Sequence, residues 1–201
     1  MTLGINLTLR NGYLTDIRDA IDASLTAGKI KFYTGARPAT GGTATTLLGT
    51  VRCSDPCAPD PTAGVLTFSA FADENNAAAT GVATWGRITD GNDNFVFDCS
   101  VGKRFTEDGN TAVGSAVISN LPDTTKIDAG MQVSGAGISD GATVVSVDSG
   151  TQVTLSVNAT AGAAAVPLTF QNDADILLND TQISGGGIIR VNSGSITEGN
   201  A

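Results

Sequence analysis

Histidine is missing from the sequence, which removes the commonest general base and the commonest metal ligand together. What remains is thiol, carboxylate and hydroxyl chemistry. Cys53 and Cys57 stand four apart and Cys99 ends a separate β-rich run. Three thiolates are one ligand short of a structural zinc site, and an odd count in a chain made in a reducing compartment argues against a disulfide framework. A small Cys53–Cys57 disulfide formed after release from the cell, or buried thiols, both stay open. Asp90, Asp93 and Asp98, with Asn92 and Asn94 between, offer alternating oxygens of the kind that bind calcium. No bidentate Glu follows at the spacing a calcium loop needs, and Asp, Gly and Asn are also what a tight turn uses, so a turn is the expectation. Ser184-Gly185-Gly186-Gly187 has neither a following helix nor a lysine, so it reads as a turn and not as a phosphate loop. The many serines and threonines have no partnering base by motif. A glycosidase needs only two carboxylates, but sugar clefts commonly use aromatic platforms, and only 5% of residues are aromatic. The expectation is a protein that is not an enzyme, with no catalytic residue, metal or cofactor.

Charge narrows the partners. Eleven Lys+Arg stand against 20 Asp+Glu, a formal net charge of −9, and no basic run exists. A phosphate-gripping protein needs a positive patch to release counterions, so no nucleic-acid partner is expected. No apolar stretch is long enough to span a bilayer. Met1-Thr2-Leu3-Gly4 lacks a basic region followed by an apolar core, so no secretory signal is expected and synthesis is placed in a cytoplasm.

The elements that would carry these residues are mostly strands. The chain has 201 residues and 25 glycines, with Thr, Ser, Ala, Val and Asp frequent, a composition suited to short strands and tight loops. Leu14, Ile17, Ile21 and Leu25 form one apolar stripe, which predicts a helix over 12–28 ended by Gly28. From Lys29 the period becomes two. Strands are predicted at 29–33, 46–53, 65–72, 81–89 and 95–99, with Asp90-Gly91-Asn92-Asp93-Asn94 as a hairpin turn. Trp85, the sole tryptophan, is placed in the core. Further strands are predicted at 174–178, 188–191 and 195–197. Between about 105 and 170 basic and aromatic residues nearly vanish, and short strands are predicted at 116–118, 132–133, 143–147, 152–157 and 166–170. This stretch reads as a small all-β domain, 107–170, inserted into a loop of a β-sandwich core domain, 1–106 and 171–201.

An ordered series of segments resembles a family of small phage virion proteins. It runs through the helix from Gly12-Tyr13-Leu14, then Ile30-Lys31-Phe32-Tyr33-Thr34-Gly35-Ala36-Arg37-Pro38, then 64–70, 79–88, and Ala174-Asp175-Ile176-Leu177-Leu178 with the C-terminal strands. The resemblance implies a sandwich or jelly-roll-like subunit of a bacteriophage particle, similar to capsid cement or decoration proteins. Within the insert, 129–138, 140–147 and Val153-Thr154-Leu155-Ser156 are similar to a small β module of phage tail and surface proteins, departing from its pattern at Ser139, where proline is common.

Such a chain works through its surfaces. Leu3, Ile5, Leu7 and Leu9 alternate well enough to pair as a strand with a partner, which makes the N-terminal segment the candidate binding element. Expected partners are a major capsid protein and further copies of the chain, as a homodimer or homotrimer on the outer capsid surface, with no membrane. The rival reading is a tail or fibre component whose inserted module binds the host surface.

Overall fold

The computed structural model describes residues 4–39 and 41–198. The chain is mainly β, with one N-terminal helix and several sheets. Helix α1 (Leu7–Ile21) precedes strands β1 (Lys29–Tyr33), β2 (Leu47–Arg52), β3 (Val65–Thr67), β4 (Gly81–Val82), β5 (Trp85–Thr89) and β6 (Phe95–Thr111). Then come β7 (Val117–Ile118), β8 (Gln132–Gly135), β9 (Val144–Ser149), β10 (Gln152–Leu155) and β11 (Ala163–Gln171), followed by β12 (Ile176–Leu178), β13 (Gln182–Ile183) and β14 (Val191–Thr197). Two compact units result: one uses the chain up to Gly102 and from Ala174 onward, the other Lys103–Asp173. No helix among the described residues is long and apolar enough to cross a membrane.

The helix begins five residues before the predicted start and ends well before Gly28. Asn6 caps it: its Oδ1 accepts the Thr8 N–H at 2.8 Å, satisfying an amide that the first turn would otherwise leave unbonded. At the other end the Asp22 N–H donates to Arg18 O at 3.0 Å, and the Asp22 carboxylate accepts the Cys57 N–H at 3.0 and 3.1 Å, tying the exit of the helix to a distant loop. Leu14 and Ile21 are buried and Ile17 packs beside them. Leu25, expected to extend the stripe, is fully exposed beyond the helix. The alternating Leu7 and Leu9 lie inside the first turns of α1, which overturns their reading as a strand.

In the first unit the sheet order is β2-β1-β5-β6-β12-β14-β3, with β13 and β4 as a separate two-stranded ribbon. Period two sorts its faces. Ile30, Phe32, Val51, Ile88 and Cys99 face a core shared with Leu14, Ile21, Leu48, Leu66, Ile176, Leu178 and Ile189. Gly86 lies on that face opposite Cys99, where a Cβ would stand 3.0 Å from Cys99 Sγ. Trp85 is buried at 1% exposure, but on the opposite face, paired across the sheet with Tyr33 and Ser100. Its burial agrees with the sequence reading, although it packs on the face away from the cluster of Ile30, Phe32 and Ile88.

Two predicted strands break where the backbone changes partner. Phe68 N still donates to Gly194 O of β14 at 3.0 Å, but the chain then leaves that strand: Ser69 N donates to Cys57 O at 2.8 Å and Ala72 N to Arg52 O at 3.0 Å, so β3 stays short. Within 81–89, Ala83 N turns to Thr181 O at 2.8 Å, while Thr84 N turns to Tyr33 O at 2.9 Å. One predicted strand thus becomes β4 and β5.

The second unit closes on itself. Residues 104–111 of β6 pair with β11, and β11 with β8. The Gln132–Thr143 bridge carries β8 to the start of β9, and β9 pairs β10, which pairs β7. Asn110 and Ser119 then exchange bonds of 2.7 and 3.1 Å, returning the ring to β6. Closure removes the free edges that would recruit other strands. Ile118, Leu121, Met131, Val133, Val153, Leu155, Leu168 and Phe170 fill the interior, with the Phe105 and Phe170 rings 5.7 Å apart. Gly109 is required there: a Cβ would stand 2.8 Å from Ile118 and 3.1 Å from Leu121.

Candidate functional site

The carboxylates offered for calcium have separate duties. Asp90 Oδ1 accepts the Asn92 and Asn94 N–H groups at 2.9 and 2.8 Å, and Oδ2 accepts Asn94 Nδ2 at 2.8 Å. These bonds, that from the Asn94 side chain foremost, hold the Asp90 carboxyl below its ordinary range. Asp93, at φ 70°, takes the left-handed position of the turn, and its Oδ1 meets Lys29 Nζ at 2.8 Å and Lys31 Nζ at 2.9 Å; these bonds lower its pKa also. Asp98 turns to Arg87, Nε to Oδ1 at 2.7 Å and Nη2 to Oδ2 at 2.9 Å. No group of three potential ligands converges on a metal position among the described residues.

Arg87 is the centre of a packed cluster. Its guanidinium lies 5.4 Å from the Trp85 ring and 5.1 Å from the Phe95 ring, a cation held against two π-faces. Tyr33 stacks on Trp85 with centroids 4.4 Å apart. The loop after β1 covers the cluster: Trp85 Nε1 donates to Thr45 Oγ1 at 3.3 Å and Arg87 Nη2 to Gly42 O at 3.0 Å. Every polar group named here is used by the fold, so the cluster fixes a loop and a sheet face.

The three cysteines are free and buried. Burial pushes the Cys53 thiol up to about 12, with the Asp22 charge adding to it, and pushes Cys57 and Cys99 further in the same direction. Neutral, enclosed thiols are poor nucleophiles and poor ligands.

The N-terminal segment is different in kind. Of its four candidate residues Leu3 lies outside the described residues, while Ile5, Leu7 and Leu9 are 38%, 49% and 68% exposed. Tyr13, which sequence reasoning missed, is 55% exposed. It follows Leu9 by four, one helical turn, so the two share a face of α1. The signal for it was present in that spacing, but only once the helix is known to start at Leu7. The opposite side of α1 is fastened to the unit. Asn11 Oδ1 accepts the Gly64 N–H at 2.9 Å, Arg10 donates to the Glu198 carbonyl, and Arg18 bonds Asp19 and Asp60. The exposed pair Leu9 and Tyr13 therefore stands on an anchored helix, with Leu7 and Ile5 exposed at its start. Comparison with protein-family models, with curated proteins and with solved structures gives no match.

Proposed function

We propose that this chain is a structural protein of a bacteriophage particle, a capsid cement or decoration subunit that binds the outer shell and stabilises contacts between capsomers. The reading takes the first unit as a β-sandwich or jelly-roll-like core and the second as a domain inserted into one of its loops. The partners are the major capsid protein and further copies of the chain, as a homodimer or homotrimer, on particles built in the host cytoplasm.

The observation that carries the proposal is the exposed apolar pair Leu9 and Tyr13, one turn apart on the outer face of the anchored helix α1, with exposed Leu7 at the first turn and Ile5 just ahead of it. Scattered exposed apolar residues are ordinary on any protein surface, whereas several close together mark a contact surface. Summed over many copies, a modest patch per subunit is enough to stiffen a shell through multivalent burial. The ordered series of segments similar to phage virion proteins supports the same reading.

The second unit supports an alternative. Its closed ring and its own core suit a self-contained recognition module, as in a tail or fibre protein that touches the host. Counting copies per purified particle by quantitative mass spectrometry decides between them. Copies in proportion to capsomers, lost together with shell stability, fit cement. A few copies at the tail, with host range altered on removing 103–173, fit adhesion. Absence of the chain from purified particles sinks both.

A further inference from the structure

We propose that Asp140-Gly141 is a site of spontaneous aspartate isomerisation in the folded protein. The chemistry needs an aspartyl carboxyl, a following residue without a Cβ, and freedom for the two to meet. The Gly141 amide nitrogen attacks the Asp140 side-chain carboxyl, one water leaves, and a five-membered succinimide closes. Water then opens the ring at either carbonyl. One opening restores aspartate; the other leaves the main chain running through the β-carboxyl, with the former α-carboxyl free. The balance is one water lost and one regained, with no oxidant, enzyme or cofactor.

Four Asp-Gly or Asn-Gly pairs occur, beginning at Asn11, Asp90, Asp108 and Asp140, and the fold restrains three of them. Asn11 and Gly12 lie within α1, with the Asn11 Oδ1 engaged by Gly64. Asp90 has both oxygens bonded, and Gly91 lies hard against Ser24 and Thr26. Asp108 and Gly109 sit inside β6, paired with Pro167 and Val166 of β11. Asp140 and Gly141 are both exposed. The Asp140 carboxylate has no hydrogen-bond or ionic partner among the described residues, and no atom beyond the chain neighbours lies within 4 Å of where a Gly141 Cβ would be. Their turn is closed by one long bond, Ala142 N to Ser139 O at 3.3 Å, with Gly141 at φ 79°. That φ suits glycine, and the absent Cβ opens the amide to attack.

The test is prolonged incubation of the full folded chain at neutral pH and body temperature. Isoaspartate is then measured at each site by isoaspartyl methyltransferase labelling and electron-transfer fragmentation. A parallel sample is held unfolded in urea. The expected result is isoaspartate at Asp140 several-fold above that at Asp90 and Asp108 in the folded protein, with the difference collapsing in urea. The Asp140→Glu variant, which would need a six-membered ring, removes the signal without disturbing the fold. Equal accumulation at Asp90 or Asp108 in the folded chain, or none at Asp140, overturns the proposal.

Discussion

Asp98 gives both carboxylate oxygens to Arg87, and the two side chains retain only 4% and 13% of their exposure. Removing one partner of such a pair leaves the other charge desolvated. Asp98→Ala is therefore expected to lower unfolding free energy by about 3 kcal/mol, read from urea denaturation. Replacing both residues by leucine should recover much of that loss; a single variant as stable as the parent would show that the pair contributes little. The cysteines give a second test. With the Cys53 thiol held at about 12 and Cys57 and Cys99 pushed higher by burial, native protein at mildly alkaline pH should react negligibly with a thiol reagent. All three cysteines should react once it is unfolded. Fast labelling of the folded chain contradicts this account. At this scale the sequence was only partly legible. Spacing could say that Asp90 and Asp93 suited a turn, but not that β1 would bring Lys29 and Lys31 to Asp93 across 64 and 62 residues.

Among the elements, the turn between β5 and β6 carries a pH dependence. Asp90, through the Asn94 side chain first, and Asp93, through Lys29 first, have folded pKa values below their unfolded ones. Their contribution to stability is therefore complete above the unfolded value of about 3.9 and is lost as pH falls through the folded values. Acid titration should show that loss, and Asp93→Asn should flatten the acid limb. An unchanged limb in that variant would remove Asp93 from the explanation. The helix divides equally sharply. Leu14→Ala should cost about 3 kcal/mol, as for other large-to-small core changes. Leu9→Ser, on the exposed face, should stay within about 0.5 kcal/mol in the same denaturation assay. The stripe Leu14, Ile17, Ile21 was readable because it is local, but the start of the helix was not: it is marked by one side-chain bond from Asn6 to Thr8 N–H, while the alternation of Leu3, Ile5, Leu7 and Leu9 carries the period of a strand.

For the molecule as a whole, the division into units makes a direct prediction. Residues 103–173, with a closed ring and an interior of their own, should fold when expressed alone and melt cooperatively by circular dichroism. A featureless melt would show that the ring depends on the rest of the chain. Most of the strands in this segment were legible from β-branched runs between Asp, Ser and Gly turns. Ring closure was not, because the Asn110–Ser119 and Gln132–Thr143 contacts carry no hydrophobic period. The same holds for β3 and β4, which end where a backbone amide finds a different carbonyl. In the proposed function, shell binding depends on the surface that α1 presents. Deleting residues 1–10 would remove the Asn6 cap and the Arg10 anchor along with Ile5, Leu7 and Leu9, so point substitutions on the exposed face are the sharper instrument. The direct test is co-sedimentation of Leu9→Ser/Tyr13→Ser protein with shells assembled without this chain, beside the parent protein. The account predicts that the variant keeps the parent's melting temperature and fails to sediment with shells. A variant that binds as the parent does, or a parent that never binds, would contradict it.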